Sequence, residues 1–250
     1  MSALKKKCLG IGFGIFLLVL WELLSVIIGK SFILPGPLLV IRKIWENRAD
    51  IFLVHLPATM QVVLIGCLIA IALGIVLAVI MDLDVRIEKA LYPILTATQT
   101  IPVMCIAPIF VLWFGYSMKM RVIVVVLINF FAVAVNVFDG FKSTNEGRTE
   151  LLMTYGAGKL QRLFLLRFPS ALPYFFTALK IAVPWSIVGA AVSEWLGAPS
   201  GLGTYSRSCM MSLDAAGLLA PLVVITVIAL LVNAVLQFIE KKTVTWNGEE

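Results

Sequence analysis

Charge is the scarcest property of this 250-residue chain: Asp, Glu, Lys and Arg together make up 14% of it, where a soluble domain carries about a quarter. Histidine is nearly absent, with His55 alone, just before Pro57. No H-E-x-x-H or G-x-S-x-G stretch occurs, so the residue sets of zinc peptidases and serine hydrolases are missing. No G-x-x-x-x-G-K-[ST] loop occurs either, and Gly197, Gly201 and Gly203 have no Lys after them, so ATP is not bound by that route. The four cysteines, Cys8, Cys67, Cys105 and Cys209, are widely spaced with no C-x-x-C pair, which argues against a disulfide framework or a zinc site. These absences leave no catalytic residue, metal ligand or cofactor to assign.

Apolar residues are abundant instead, at 61% of the chain, with a mean hydropathy of +1.02. They fall into six runs, 9–29, 57–81, 90–114, 122–141, 171–193 and 215–239, each long enough for the roughly 20 residues a bilayer-crossing helix needs. Three runs carry no charge; the others carry one each, Glu22, Asp139 and Lys180. Alternating ten-residue strands are absent, which argues against a membrane barrel. The expected fold is an all-α membrane protein with six spans in one domain, residues 1–250, with no internal repeat.

The net charge of +6 is read as an orientation signal rather than a nucleic-acid footprint, because cytoplasmic loops are enriched in Lys and Arg. With the N-terminus inside, the inner flanks hold 12 basic residues and the outer loops 7, leaving Lys180 within a span. This favours an N-in, C-in topology with residues 142–170 in the cytoplasm. The N-terminus, three lysines before an apolar run, reads as a retained signal anchor, since no A-x-A-like site follows and Trp21-Glu22 continues into a full span.

Polar groups inside spans are costly unless partnered or wet. The third run contains Pro93, Pro102 and Pro108, each of which removes a backbone donor and tends to kink a helix. Thr96, Gln99 and Thr100 share one helical face there. Two readings stand: a broken, pathway-lining helix, or hydrogen bonding between packed helices. The fourth run places Asn129 and Asn136 on one face, with Asp139 near its inner end. In the fifth, Ser186, Gly189 and Ser193 share a face beside Pro184-Trp185, a pattern suited to close packing or to a path. Lys180 is placed to snorkel to the cytoplasm and Glu22 to find a structural partner. Gln99, Thr100, Asn129, Asn136 and Ser186 are the candidate path residues.

The cytoplasmic stretch 150–169, ELLMTYGAGKLQRLFLLRFP, is unusual in its surroundings. Ser143 to Glu146 fits a capping box opening a helix near 144. Gly156 and Gly158 bracket a break, and a second helix is expected from about 159 to 167, stopped by Pro169 and Pro173. On it Leu160, Phe164 and Phe168 recur beside Leu163, with Lys159, Arg162 and Arg167 elsewhere on the surface. Such a hairpin could lie on anionic lipid or dock in a groove on a partner.

The stretch resembles the signature loop of permease subunits of bacterial ABC importers, whose pattern is E-A-A, three residues, G, nine residues, I, one residue, L-P. Glu150-Leu151-Leu152, Gly156, Leu166 and Phe168-Pro169 keep that spacing, with Leu for both alanines, Leu for Ile and Phe for Leu. The resemblance covers nearly the whole chain. It is nearest the branch that takes up nitrate, sulfonates, taurine and thiamine precursors, through ILPGP at 33–37, QTIPVMCIAPIFVLWFGY at 99–116, ALPYFFTALKIAV at 171–183 and SEWLGAPSGLGTY at 193–205. QTIP and the last stretch look most like permeases for the pyrimidine precursor of thiamine.

The resemblance implies a type I (MetI-like) importer permease of the bacterial cytoplasmic membrane. Two permease copies, expected as a homodimer in membrane lipid, would form the path. A cytoplasmic ATPase dimer would bind ATP and Mg, and an extracytoplasmic binding protein would deliver the solute. The loop would act as a coupling helix, with Glu150, Gly156, Leu166 and Pro169 setting its geometry and Lys159 and Arg162 at its surface. Glu194 and Trp195 would form an outer gate or meet the binding protein. The alternatives are an ion-driven transporter, for which only Glu22 and Lys180 lie well inside spans, a scaffold, and a membrane-embedded enzyme.

Overall fold

The computed structural model describes residues 3–245, with side chains from residue 12 onward; Lys5, Lys6, Lys7 and Cys8 therefore lie outside the described side chains. Long apolar runs fold as helices because only internally hydrogen-bonded backbone is tolerated in lipid. Eleven α-helices result among the described residues. They are α1 (Ala3–Ile28), α2 (Pro37–Glu46), α3 (Leu56–Leu83), α4 (Val85–Thr100), α5 (Val103–Phe114), α6 (Met118–Lys142), α7 (Glu146–Thr154), α8 (Lys159–Arg162), α9 (Phe168–Trp195), α10 (Leu202–Met211) and α11 (Ala215–Thr243). π-helical turns, Asp50–His55 and Leu163–Arg167, lead into α3 and α9.

Four continuous segments are long and apolar enough to cross a membrane: Asp50–Leu83, Met118–Lys142, Lys159–Trp195 and Ala215–Thr243. The expected third span is instead two helices, α4 and α5, bent by 92°. Of its three prolines only Pro102 breaks the chain. Ile101 before it is extended, at φ −85° and ψ 117°, as the clash with a following proline ring favours. Pro93 and Pro108 lie inside helices that continue. α1 offers an apolar stretch at Gly12–Ile28, shorter than the four long spans.

α3, α6 and α9 form the central block, and small residues explain how closely they pack. Gly66, Ala70, Gly74 and Ala78 recur every four residues on α3 and are buried. A Cβ on Gly66 would stand 2.6 Å from Val125, and one on Gly74 2.6 Å from Val133, so α6 lies against bare backbone. On α9, Ala178, Ala182, Ser186 and Ala190 repeat the same spacing and are fully buried.

The outer ends are tied by polar groups. Glu22 caps α2, accepting from the Leu38 N–H at 3.2 Å, where the helix dipole favours a carboxylate. Lys43 on α2 pairs with Asp214, the N-cap of α11, at 2.8 Å. Burial pushes the Asp214 carboxyl up, but the Lys43 ammonium and the Gly217 N–H outweigh it and hold the group below its ordinary value. The same hydrogen bond raises Lys43. At the inner side Lys180 bridges both oxygens of Glu240 on α11, at 3.0 and 2.8 Å.

Candidate functional site: a cytoplasmic elbow and an uncharged groove

The cytoplasmic connection is built around a glycine turn. α7 is capped by Asn145, whose Oδ1 accepts from the Gly147 N–H at 2.9 Å, and not by the expected box at Ser143, whose hydroxyl bonds the Gly140 carbonyl. Ser143 is the C-cap of α6, so it cannot also begin α7. The far end of α7 is a Schellman motif: Ala157 N–H donates to the Leu152 carbonyl and Gly156 N–H to that of Met153, both at 2.9 Å. It requires Gly156 at φ +78°, a backbone conformation costly for side-chain-bearing residues. α8 follows at once, with the Gly158 N–H bonded to Gln161 Oε1 at 2.9 Å.

The expected stop at Pro169 and Pro173 does not occur. The chain runs as one helical segment from Lys159 to Trp195. The π turn shifts the ladder so that the Phe168 N–H bonds the Leu163 carbonyl, and the register changes where Pro169 has no N–H to give. Leu163 is buried against the block and Phe168 stacks on Phe164. Leu151, Met153, Tyr155, Leu160 and Phe164 project outward, Tyr155 at 80% exposure. Glu150 and Pro169 are exposed, while Arg162 and Leu166 are half-buried.

Three basic residues of this region find partners on α3 and α4. Arg167 pairs with Asp82 in the last turn of α3, and Lys159 Nζ donates to the Leu83 carbonyl at 3.3 Å, where a helix C-terminus favours cations. Lys142 pairs with Glu88 on α4 at 2.8 Å. Asp82, Glu88, Lys142, Glu150 and Arg167 surround a cavity of about 350 Å³ beneath α7. Asp82, which sequence reasoning missed, is the pivot of this set.

A second cavity, about 560 Å³, opens at the α4–α5 break between α4, α5, α6 and α9. Of the candidate path residues it collects Gln99 and Asn129. Thr100 is exposed and bonds the Ala97 carbonyl, Asn136 bonds the Ala132 carbonyl, and Ser186 is buried in the α9 packing stripe with its hydroxyl on Ala182; none of these three lines the groove. Trp185, one residue from Ser186 and turned about 100° around the helix, does, and it is 54% exposed. Among the described residues, no Asp, Glu, Lys, Arg or His lines the groove.

Glu194 and Trp195 separate sharply at the outer end. Trp195 is 38% exposed, whereas Glu194 has no exposed surface. One Glu194 oxygen accepts from the Gly203 N–H at 2.8 Å and from Thr59 on α3 at 3.1 Å. Thr59 Oγ1 accepts in turn from the Leu202 N–H, and His55 Nδ1 from that of Gly201. In this conformation Glu194 pins the glycine-rich 197–203 loop to α3 and presents nothing to a partner. Residues 135 positions apart make this contact, and no local pattern announces it.

Membrane-length helices around a groove of about 560 Å³, with an apolar elbow protruding at one end, fit a membrane transport subunit. The model of the binding-protein-dependent transport system inner membrane component family matches residues 70–244. Over 238 residues the chain is 43% identical to the formylaminopyrimidine transport permease protein ThiX of Halalkalibacterium halodurans, covering 95% of each chain. It is 29% identical to the taurine transport system permease protein TauC of Escherichia coli, covering 98% of this chain and 92% of that one. Among solved structures it superposes on a chain of an amino acid ABC transporter with histidines at TM-score 0.63 and 13% identity, covering 80% of this chain and 96% of that one. The inward-facing MetNI methionine ABC transporter gives TM-score 0.61 at 20% identity, covering 82% and 96%. The chain therefore belongs to the family of binding-protein-dependent transport system inner membrane components. It is the permease subunit of an ABC importer, a multi-pass protein of the cytoplasmic membrane with the type I importer fold.

Proposed function

We propose that this chain, as a pair of identical copies, carries a thiamine pyrimidine precursor of the formylaminopyrimidine type into the cell. A separate ATPase dimer drives it and an extracytoplasmic binding protein loads it. The identity of 43% over 95% of both chains to a formylaminopyrimidine permease carries this reading. The groove agrees with it. Sulfonates and nitrate are anions, and a desolvated charge without a counter-charge is expensive; the groove lining offers no cation.

The elbow is the proposed seat on the ATPase. Its exposed Leu151, Met153, Tyr155, Leu160 and Phe164 surround the Gly156 turn, an apolar helix face of the kind that docks in grooves. Glu150, Gly156, Leu166 and Pro169 set its shape, while exposed Lys159 and half-buried Arg162 border the end of α3 at the elbow's surface. ATP and Mg would sit on the partner, so nucleotide closure reaches the spans only through this contact. By linkage, nucleotide and the loaded binding protein must favour the same conformation. Trp195 is the proposed outer contact residue, held in place by buried Glu194.

Purification of the tagged chain in mild detergent, followed by mass spectrometry and reconstitution, tests the reading. A co-purifying ATPase in near-equal amount and ATP-dependent uptake of labelled aminopyrimidine are expected, with taurine and nitrate failing to compete. Uptake of taurine in place of the pyrimidine would overturn the substrate. A chain that purifies alone and transports without ATP would overturn the partnership.

A further inference from the structure

We infer that the groove at the α4–α5 break is a recognition subsite for a neutral heteroaromatic ring, with the exposed face of Trp185 as its platform and the amides of Asn129 and Gln99 reading the ring's edge. The inference rests on the pyrimidine reading above and adds to it a selecting step inside the membrane.

Three independent features converge on the groove. The first is Asn129. Its residue exposure is 1%, its Nδ2 donates to the Val125 carbonyl at 2.8 Å, and its Oδ1 is buried with no partner. A buried acceptor left unpaired is costly, and a ligand N–H would satisfy it. The second is the helix break. Pro102 has no N–H for the Thr98 carbonyl, and α5 begins without a side-chain cap, leaving the first N–H groups of the helix, at Val103 and Met104, without helical acceptors. Both residues line the groove. Donors and acceptors thus face one space without any full charge, which suits a ring carrying both amino hydrogens and ring nitrogens. The third is Trp185, a large aromatic residue 54% exposed on the groove side of a helix whose adjacent face is a tight small-residue stripe. Flat π faces stack on aromatic rings, whereas a small tetrahedral or trigonal anion gains little there. Gln99, exposed and with no side-chain hydrogen bond among the described residues, adds a donor and an acceptor from the α4 side.

The test uses the complete importer in proteoliposomes, with this chain, its ATPase and loaded binding protein, and compares Trp185→Phe with Trp185→Leu. Leu keeps apolar bulk and removes the π face; Phe keeps the face. The expected result is that Phe retains maximal pyrimidine uptake within about threefold, and that Leu loses about tenfold. ATP hydrolysis stimulated by loaded binding protein should stay within about twofold of wild type in both. Equal uptake by both variants would overturn the subsite. Loss of stimulated hydrolysis along with uptake in the Leu variant would overturn it too, by making Trp185 part of coupling. If the wild-type importer moves no aminopyrimidine, the substrate reading itself fails, an outcome visible before any variant is made.

Discussion

Replacing Arg167 with Met should destabilise the permease, and partial restoration on removing Asp82 as well would show why. The Asp82 side chain is 7% exposed and that of Arg167 27%. Deleting one partner of a fully buried pair costs about 3–5 kcal/mol, because the other charge is left stranded. Here Arg167 is partly solvated, and Lys159 and Arg162 line a small neighbouring cavity with Asp82, so about half of that, ~2 kcal/mol, is the expected cost. At roughly 2–4 °C per kcal/mol for a chain of this size, the melting temperature should fall by about 4–8 °C. Thermal unfolding in one detergent, followed by near-ultraviolet circular dichroism, measures this. The Asp82→Asn/Arg167→Met pair should recover more than half of the loss, since no charge is then stranded. A single variant that melts within 1 °C or so of wild type, or a double variant no better than the single, would refute the reasoning.

Gly156→Val should cost about 1–2 kcal/mol of local strain at φ +78° yet insert normally, because a Cβ there meets nothing within 4 Å; ATP-driven uptake should be lost, while Gly156→Asn, which tolerates that conformation, should retain it. Gly74→Leu meets Val133 at 2.6 Å and the Phe130 carbonyl at 2.9 Å, so it should lose about 1–3 kcal/mol or more and give little monodisperse protein on size-exclusion chromatography. The Lys43–Asp214 pair, each side chain about a third exposed at 31% and 32%, should contribute only about 0.2–1 kcal/mol. The Asp214 part is present above the unfolded carboxylate pKa and lost as pH falls through the lowered folded value. The Lys43 part is present below the unfolded lysine pKa and lost as pH rises through the raised one. Melting curves of wild type and Lys43→Ala should therefore differ at neutral pH and converge on strong acidification.

Run length made the long spans legible, because a bilayer sets a one-dimensional rule: 122–141 falls within Met118–Lys142 and 171–193 within Phe168–Trp195. The elbow was legible from the spacing of Glu150, Gly156 and Pro169, and Gly156 does hold the left-handed position that such a glycine implies. What failed depended on the third dimension. Three prolines looked alike in sequence, yet only Pro102 interrupts its helix. Pro169 looked like a stop but coincides with a change of helical register. Ser186 and Trp185 are neighbours, and only the packing of α9 decides that the serine faces α3 and α6 while the indole faces the groove. α2 and α10 are too short for hydropathy to announce, although Gly36-Pro37 is a helix-start signal in plain view.

The polar contacts divide the bundle into a part held rigid and a part free to bend. α3 and α9 are joined at the outer end by Thr59 and Glu194 and at the inner end by Asp82 and Arg167. Thr59 and Asp82 stand roughly 35 Å apart along a helix rising 1.5 Å per residue, close to the thickness of the bilayer core. Two ties at that separation resist both tilt and rotation, and between them the α3 glycines seat α6 at a distance no Cβ would allow. On the coupling proposed above, a displacement of the elbow would move α3, α6 and α9 together instead of shearing them. The α4–α5 segment has no such double tie among the described residues; Lys142–Glu88 fixes α4 at its inner end, and the chain then breaks at Ile101-Pro102. Asn129 and Trp185 belong to the rigid block, Gln99 and Val103 to the two sides of the break. The groove lies between them, so a change of angle at Ile101-Pro102 would alter the spacing of its lining residues.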